Sequence, residues 1–193
     1  MDAACFKAGR PSDAVQLLAV TKTVPAELIN AAIELGVDRI GENRVQEFLQ
    51  KKDALQLEHV QKHLIGHLQT NKVKYIAPFV SLIESLDSER LAEEINRQAE
   101  KCGRTIDCLL EIHVTSEQTK SGWDYEELLS FVQSGGFDRY PNIRLRGVMG
   151  MATFTDDEQV VRADFERLAE CKAELAKYFG SEFDMLSMGM SDD

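Results

Sequence analysis

The stretch Leu17-Leu18-Ala19-Val20-Thr21-Lys22-Thr23-Val24-Pro25-Ala26-Glu27-Leu28-Ile29-Asn30-Ala31-Ala32-Ile33-Glu34-Leu35-Gly36 decides the fold. Its first four residues form an apolar run of strand length. After a short polar turn, Leu28, Ala31, Ala32 and Leu35 recur at helical spacing from Pro25 onward, and Gly36 supplies a stop. Thr23 is placed to cap the helix start. Only three residues after Gly36 comes another apolar run, Arg39-Ile40-Gly41. A strand, a helix and a second strand in so short a span read as one βαβ unit.

The pattern repeats along the chain. Further strand-length runs are His63-Leu64-Ile65-Gly66, Leu82-Ile83-Glu84-Ser85, Cys108-Leu109-Leu110-Glu111-Ile112, Arg146-Gly147-Val148-Met149 and Met185-Leu186-Ser187-Met188. Helical stretches separate them: 44–55, 70–77, 88–102, 125–132 and 156–179. Several runs are apolar almost throughout, which suits parallel strands covered on both faces. The expectation is an α/β protein built on a (β/α)8 TIM-type barrel, one domain over residues 1–193. No G-x-G-x-x-G follows an early strand, which argues against a Rossmann dinucleotide site. Seven strands are legible and a closed barrel needs eight. The eighth is expected to be missing, leaving the first and seventh strands with bare edges that favour association.

Bulk properties narrow the function. Net charge is −11, so most of the surface repels a polyanion, and no nucleic-acid partner is expected. There is no bilayer-length apolar run and no secretory signal pattern at Met1-Asp2-Ala3-Ala4-Cys5. The expectation is a cytoplasmic protein without a membrane partner. Cys5, Cys102, Cys108 and Cys171 are irregularly spaced and form no C-x-x-C pair, so neither a zinc site nor a disulfide framework is expected.

In a barrel, chemistry sits at the C-terminal ends of the strands. Those ends carry Lys22, Asn43, His67, Asp87 and the segment Ser187-Met188-Gly189-Met190-Ser191. A lone lysine is ordinarily a solvated charge, and Asn43 serves equally as a turn residue. At a barrel mouth, however, a desolvated lysine is a candidate amine nucleophile toward an aldehyde. His63 and His67 have i, i+4 spacing but lie on a strand with no carboxylate or cysteine beside them in sequence, so a structural role is preferred to a metal. The Ser- and Gly-containing end of strand seven suits either a phosphate or an ordinary capped turn.

Several of these segments together resemble one family. They are Leu18-Ala19-Val20-Thr21-Lys22-Thr23, Ile40-Gly41-Glu42-Asn43 with Val45-Gln46-Glu47, His63 through Lys72, Gly147-Val148-Met149, and Leu186 through Ser191. The resemblance is to the pyridoxal 5′-phosphate (PLP) homeostasis proteins, which are similar to the barrel domain of bacterial alanine racemase. It implies a fold-type III PLP barrel with the cofactor held as an imine on Lys22. It implies Asn43 lining the ring, Ser191 on the phosphate, and Ser187, Ser85 and Met149 nearby. It also implies a monomeric binding protein without established catalysis, active in vitamin B6 and amino-acid balance, with PLP-dependent apoenzymes as recipients. Relative to that pattern the chain is expected to lack the N-terminal helix, the eighth strand and part of the phosphate cradle.

Two alternatives stay open from the residues themselves. One is a racemase-like PLP enzyme with weak activity, for which Lys22 supplies one base but no second base is evident, since Tyr75 and Tyr125 lie away from the strand ends. The other is an aldolase-like barrel in which Lys22 forms an imine with a carbonyl substrate and no PLP is used.

Overall fold

The computed structural model describes residues 2–115 and 121–189. The elements run α1 (Asp2–Lys7), β1 (Ala19–Val20), α2 (Ala26–Glu34), β2 (Arg39–Glu42), α3 (Val45–Lys51), β3 (Gln61–Leu64), α4 (Val73–Ile76), β4 (Leu82–Leu86), α5 (Glu89–Lys101), β5 (Ile106–Glu111), α6 (Tyr125–Gln133), β6 (Ile143–Met151), α7 (Glu158–Phe179) and β7 (Met185–Gly189). All seven strands form one sheet in chain order, and every neighbouring pair is parallel. This is the expected α/β architecture with seven strands of a barrel; β1 and β7 lie at the two edges of the described sheet.

The sheet is curled. The Ser187 hydroxyl on β7 donates to Glu84 on β4 at 2.6 Å, although β5 and β6 stand between those strands in the sheet. A flat sheet separates such strands by about 14 Å, so only a concave face brings them together. Two bulges assist the bend. Between β4 and β5 the pairing steps from Ile83↔Cys108 to Leu86↔Leu110. Between β5 and β6 it steps from Cys108↔Leu145 to Leu109↔Gly147. Gly147 has φ +151°, and a Cβ there would meet the Met185 carbonyl oxygen at 1.9 Å, so β6 and β7 approach closely only because this residue is glycine.

Alternation sorts the strand residues. Ile83, Leu86, Cys108, Leu110, Ile112 and Val148 face the helices and join Leu91, Ile95, Leu128, Leu168 and Leu175 in the main core. A second cluster seats α2 and α3 on β2 through Ile29, Ile40 and Phe48. Phe48 is wholly buried and meets Phe79 edge-on at 5.3 Å; burial of such a ring contributes about 2–3 kcal/mol. Leu82, Leu109 and Met149, with Met185, form a separate small apolar layer. Asp124 caps α6 by accepting from the Glu126 and Glu127 amides, and Asp157 caps α7.

Three details differ from the sequence reading. A short helix, Asp2–Lys7, precedes the first strand. β1 is two residues long, and Leu17 is exposed, because an edge strand pairs on one side only. Thr23 does not cap α2. Pro25 occupies the N-cap without a side-chain bond, while the Thr23 hydroxyl turns back to the Lys22 carbonyl. No helix among the described residues is long and apolar enough to cross a membrane.

Candidate functional site

The C-terminal ends of the strands bring Lys22 and Asn43 to the same level. Val20 pairs with Gly41, and Lys22 and Asn43 each stand two residues past that pair. Lys22 is exposed and Asn43 half-buried, and neither side chain has a hydrogen-bond or ion-pair partner among the described residues. The strand-end placement of Lys22 is therefore as expected, but the described residues leave it in solvent rather than desolvating it. Asn43 in turn is packed closely by β3: a Cβ at Gly66 would lie 2.5 Å from the Asn43 carbonyl oxygen. Only a residue without a side chain permits that approach.

Below this pair a polar chain crosses the concave face. His63 Nδ1 lies 2.6 Å from Glu84 Oε1, and Glu84 Oε2 accepts from the Ser187 hydroxyl at 2.6 Å. His63 and Glu84 are both buried. Higher up, exposed His67 meets Asp87 at 3.0 Å. No carboxylate stands beside the two histidines in sequence, but folding supplies one to each from β4 and its following loop. Each histidine has one acidic partner, and no group of three or more metal-ligating side chains occurs among the described residues.

The remaining sequence candidates occupy different environments. The Ser85 hydroxyl is buried and donates to the Gly66 carbonyl at 2.7 Å. Met149 is buried in the apolar layer with Leu82 and Leu109. Ser187 is engaged by Glu84. Ser191 lies outside the described residues. Lys22 and Asn43 thus stand at corresponding strand ends, with side chains that have no hydrogen-bond partner among the described residues, whereas Ser85 and Ser187 have protein partners.

Sequence reasoning missed two groups. Glu111, at the end of β5, is buried; Ser121 donates to its Oε1 at 2.6 Å, and its Oε2 has no partner among the described residues. Burial, reinforced by the nearby Asp87 charge, pushes its carboxyl above the ordinary range. The second group is the set Glu42, Glu47 and Lys51 behind Lys22. Lys51 donates to Glu47 at 2.7 Å and to the fully buried Glu42 at 3.1 Å. The i, i+4 spacing of Glu47 and Lys51 was a legible sign of that ion pair.

Comparison with known proteins decides the family. The model of the alanine racemase N-terminal domain matches residues 7–193. The chain is 40% identical over 190 residues to the pyridoxal phosphate homeostasis protein of Aquifex aeolicus, covering 98% of this chain and 82% of that relative. The chain belongs to the pyridoxal phosphate homeostasis protein family. A solved structure of PipY from Synechococcus elongatus PCC7942, with PLP bound, is 32% identical with a TM-score of 0.84, over 100% of this chain and 89% of PipY. Alanine racemase from Streptomyces coelicolor A3(2) superposes with a TM-score of 0.73 at 14% identity, over 92% of this chain and 48% of the racemase. That last likeness concerns the fold alone.

The residues present fit the cofactor that PipY holds. An aldehyde needs an accessible amine, and Lys22 provides one. A polar ring needs a hydrogen-bonding neighbour, and the Asn43 amide has no protein partner among the described residues.

Proposed function

We propose that this chain binds PLP at the barrel mouth, carried covalently on Lys22, and serves in homeostasis of the cofactor rather than in turnover. The observation that supports this most directly is the placement, at corresponding strand ends of a chain from this family, of an exposed lysine and an asparagine with no side-chain partner among the described residues. PLP supplies an electrophilic aldehyde and an anionic phosphate on one aromatic ring. The Lys22 nitrogen adds to the aldehyde carbon, a C=N bond replaces C=O, and the oxygen leaves as water. The link is reversible by water or by another amine, which suits storage and hand-over to PLP-dependent apoenzymes.

Asn43 takes the ring's polar edge in this reading, and Ser191, beyond β7, takes the phosphate. Ser187, Ser85 and Met149 shape the floor beneath the ligand rather than bonding to it, since their contacts are already made with protein atoms. We extend the reading to a reducing, cytoplasmic setting, supported by four free cysteines.

The test is an absorbance titration with PLP. Wild-type protein develops the yellow band of a conjugated C=N link, and Lys22→Ala does not. Equal bands in the two proteins would refute the assignment.

A further inference from the structure

The geometry points to Glu47 and Lys51 as positioning residues that lock the backbone on both sides of Lys22, holding its amine ready for a carbonyl ligand. This inference rests on the reading that Lys22 carries PLP, and it names the machinery that reading lacks. Two peptide groups flank the Lys22 Cα, and each is tied to one member of the same ion pair. The carbonyl of the Thr21–Lys22 peptide accepts from Lys51 Nζ at 2.8 Å. The amide N–H of the Lys22–Thr23 peptide donates to Glu47 Oε1, and that peptide's carbonyl accepts from the Thr23 hydroxyl at 2.6 Å. Lys51 and Glu47 are themselves joined at 2.7 Å. One rigid charge pair on one turn of α3 thus fixes the rotations on either side of Lys22.

Three observations indicate that this is more than surface decoration. Thr23 sits at φ +62°, a left-handed conformation that β-branched residues avoid and that persists only where surroundings impose it. Lys51 is mostly buried, and it also donates to Glu42, whose Oε1 accepts from the Thr21 hydroxyl at 2.8 Å. Both charges are retained: Glu47 is held below the ordinary carboxylate range by its bonds from Lys51 and from the Thr23 amide. Burial works against the Lys51 ammonium, but its bonds to Glu47 and Glu42 prevail and raise it. Among the described residues the Lys22 side chain makes no hydrogen bond or ion pair with any of these groups. They act on it only through its backbone, leaving the amine free while removing the main-chain freedom that binding would otherwise have to freeze.

The experiment uses the intact chain with three variants. Glu47→Ala removes the Thr23 acceptor and the Lys51 partner; Glu47→Gln keeps an acceptor oxygen; Lys51→Met removes the other tie. Two readouts are taken on protein shown to be folded by circular dichroism. One is hydrogen exchange of the Thr23 amide without ligand, and the other is the PLP concentration giving half of the C=N absorbance. Loss of about 1.4 kcal/mol of restraint corresponds to roughly a tenfold change. Glu47→Ala is expected to speed Thr23 exchange and to raise the half-saturating PLP concentration, each roughly tenfold, with Glu47→Gln between it and wild type. Lys51→Met follows Glu47→Ala where it folds. Unchanged exchange in folded Glu47→Ala overturns the lock, and faster exchange with unchanged PLP half-saturation overturns the positioning role. Failure of wild type to develop the band at all counts against Lys22 as the carrier, and the lock is then decided by the exchange readout alone.

Discussion

Replacing Ser187 with alanine removes a hydroxyl that ties β7 to β4 across the concave face. Its bond to Glu84 is 2.6 Å long, and Glu84 is buried, with His63 as its other partner. A hydrogen bond to a charged or strongly polarised carboxyl contributes about 1.5–3 kcal/mol. A methyl group in place of the hydroxyl offers Glu84 Oε2 no donor, so the Ser187→Ala variant also leaves that oxygen unsatisfied in a buried setting. The expected loss is about 2 kcal/mol. For a chain of this size, 1 kcal/mol corresponds to roughly 2–4 °C, so the melting temperature should fall by about 4–8 °C. Native-state hydrogen exchange should localise part of the loss to β7, which among the described residues pairs with β6 alone. PLP binding should weaken far less than in Lys22→Ala, because the hydroxyl faces protein rather than ligand. A melting temperature unchanged within error, or loss of PLP binding without loss of stability, would refute the reasoning: Ser187 would then be a ligand contact.

Two further outcomes follow from local geometry. Gly147→Ala combines a positive φ with a Cβ directed at the Met185 carbonyl oxygen; denaturant unfolding should show a loss of about 3 kcal/mol or more, and a neutral effect would mean that β6 and β7 do not approach this closely. Glu111 has its carboxyl raised by burial, so its contribution favours the folded state below the ordinary carboxylate value of about 4.3 and is lost as pH rises through the elevated value. Glu111→Gln should therefore gain stability relative to wild type as pH climbs from about 4 to 7, read by urea unfolding at each pH, and a difference independent of pH would show that Glu111 is not perturbed.

Much of the scaffold was legible because each strand is a local apolar run and each long helix carries its own periodicity. Leu91, Ala92, Ile95 and Ala99 mark α5 by spacing alone, and all four are buried. Lys22 was legible because it stands just past such a run. What escaped notice depends on distance along the chain. Glu84 sits inside an apolar run, and its partners His63 and Ser187 are 21 and 103 residues away. Asp107 likewise gave no hint of the arginines that reach it from β6, Arg144 at 2.7 Å and Arg146 at 3.3 Å. Thr23 was misread for a related reason. Local sequence offers it the helix start, but Glu47, 24 residues on, takes its amide and holds it in another conformation. Tertiary partners override local preference where they satisfy a backbone group better.

The central claim, that Lys22 carries the cofactor, is tested most directly by trapping. The protein is incubated with PLP, reduced with borohydride, digested and mapped by mass spectrometry, with Lys22→Ala in parallel. The account predicts one dominant adduct on the peptide containing Lys22, absent from the variant. Labelling scattered over surface lysines, or equal labelling of the variant, would contradict it.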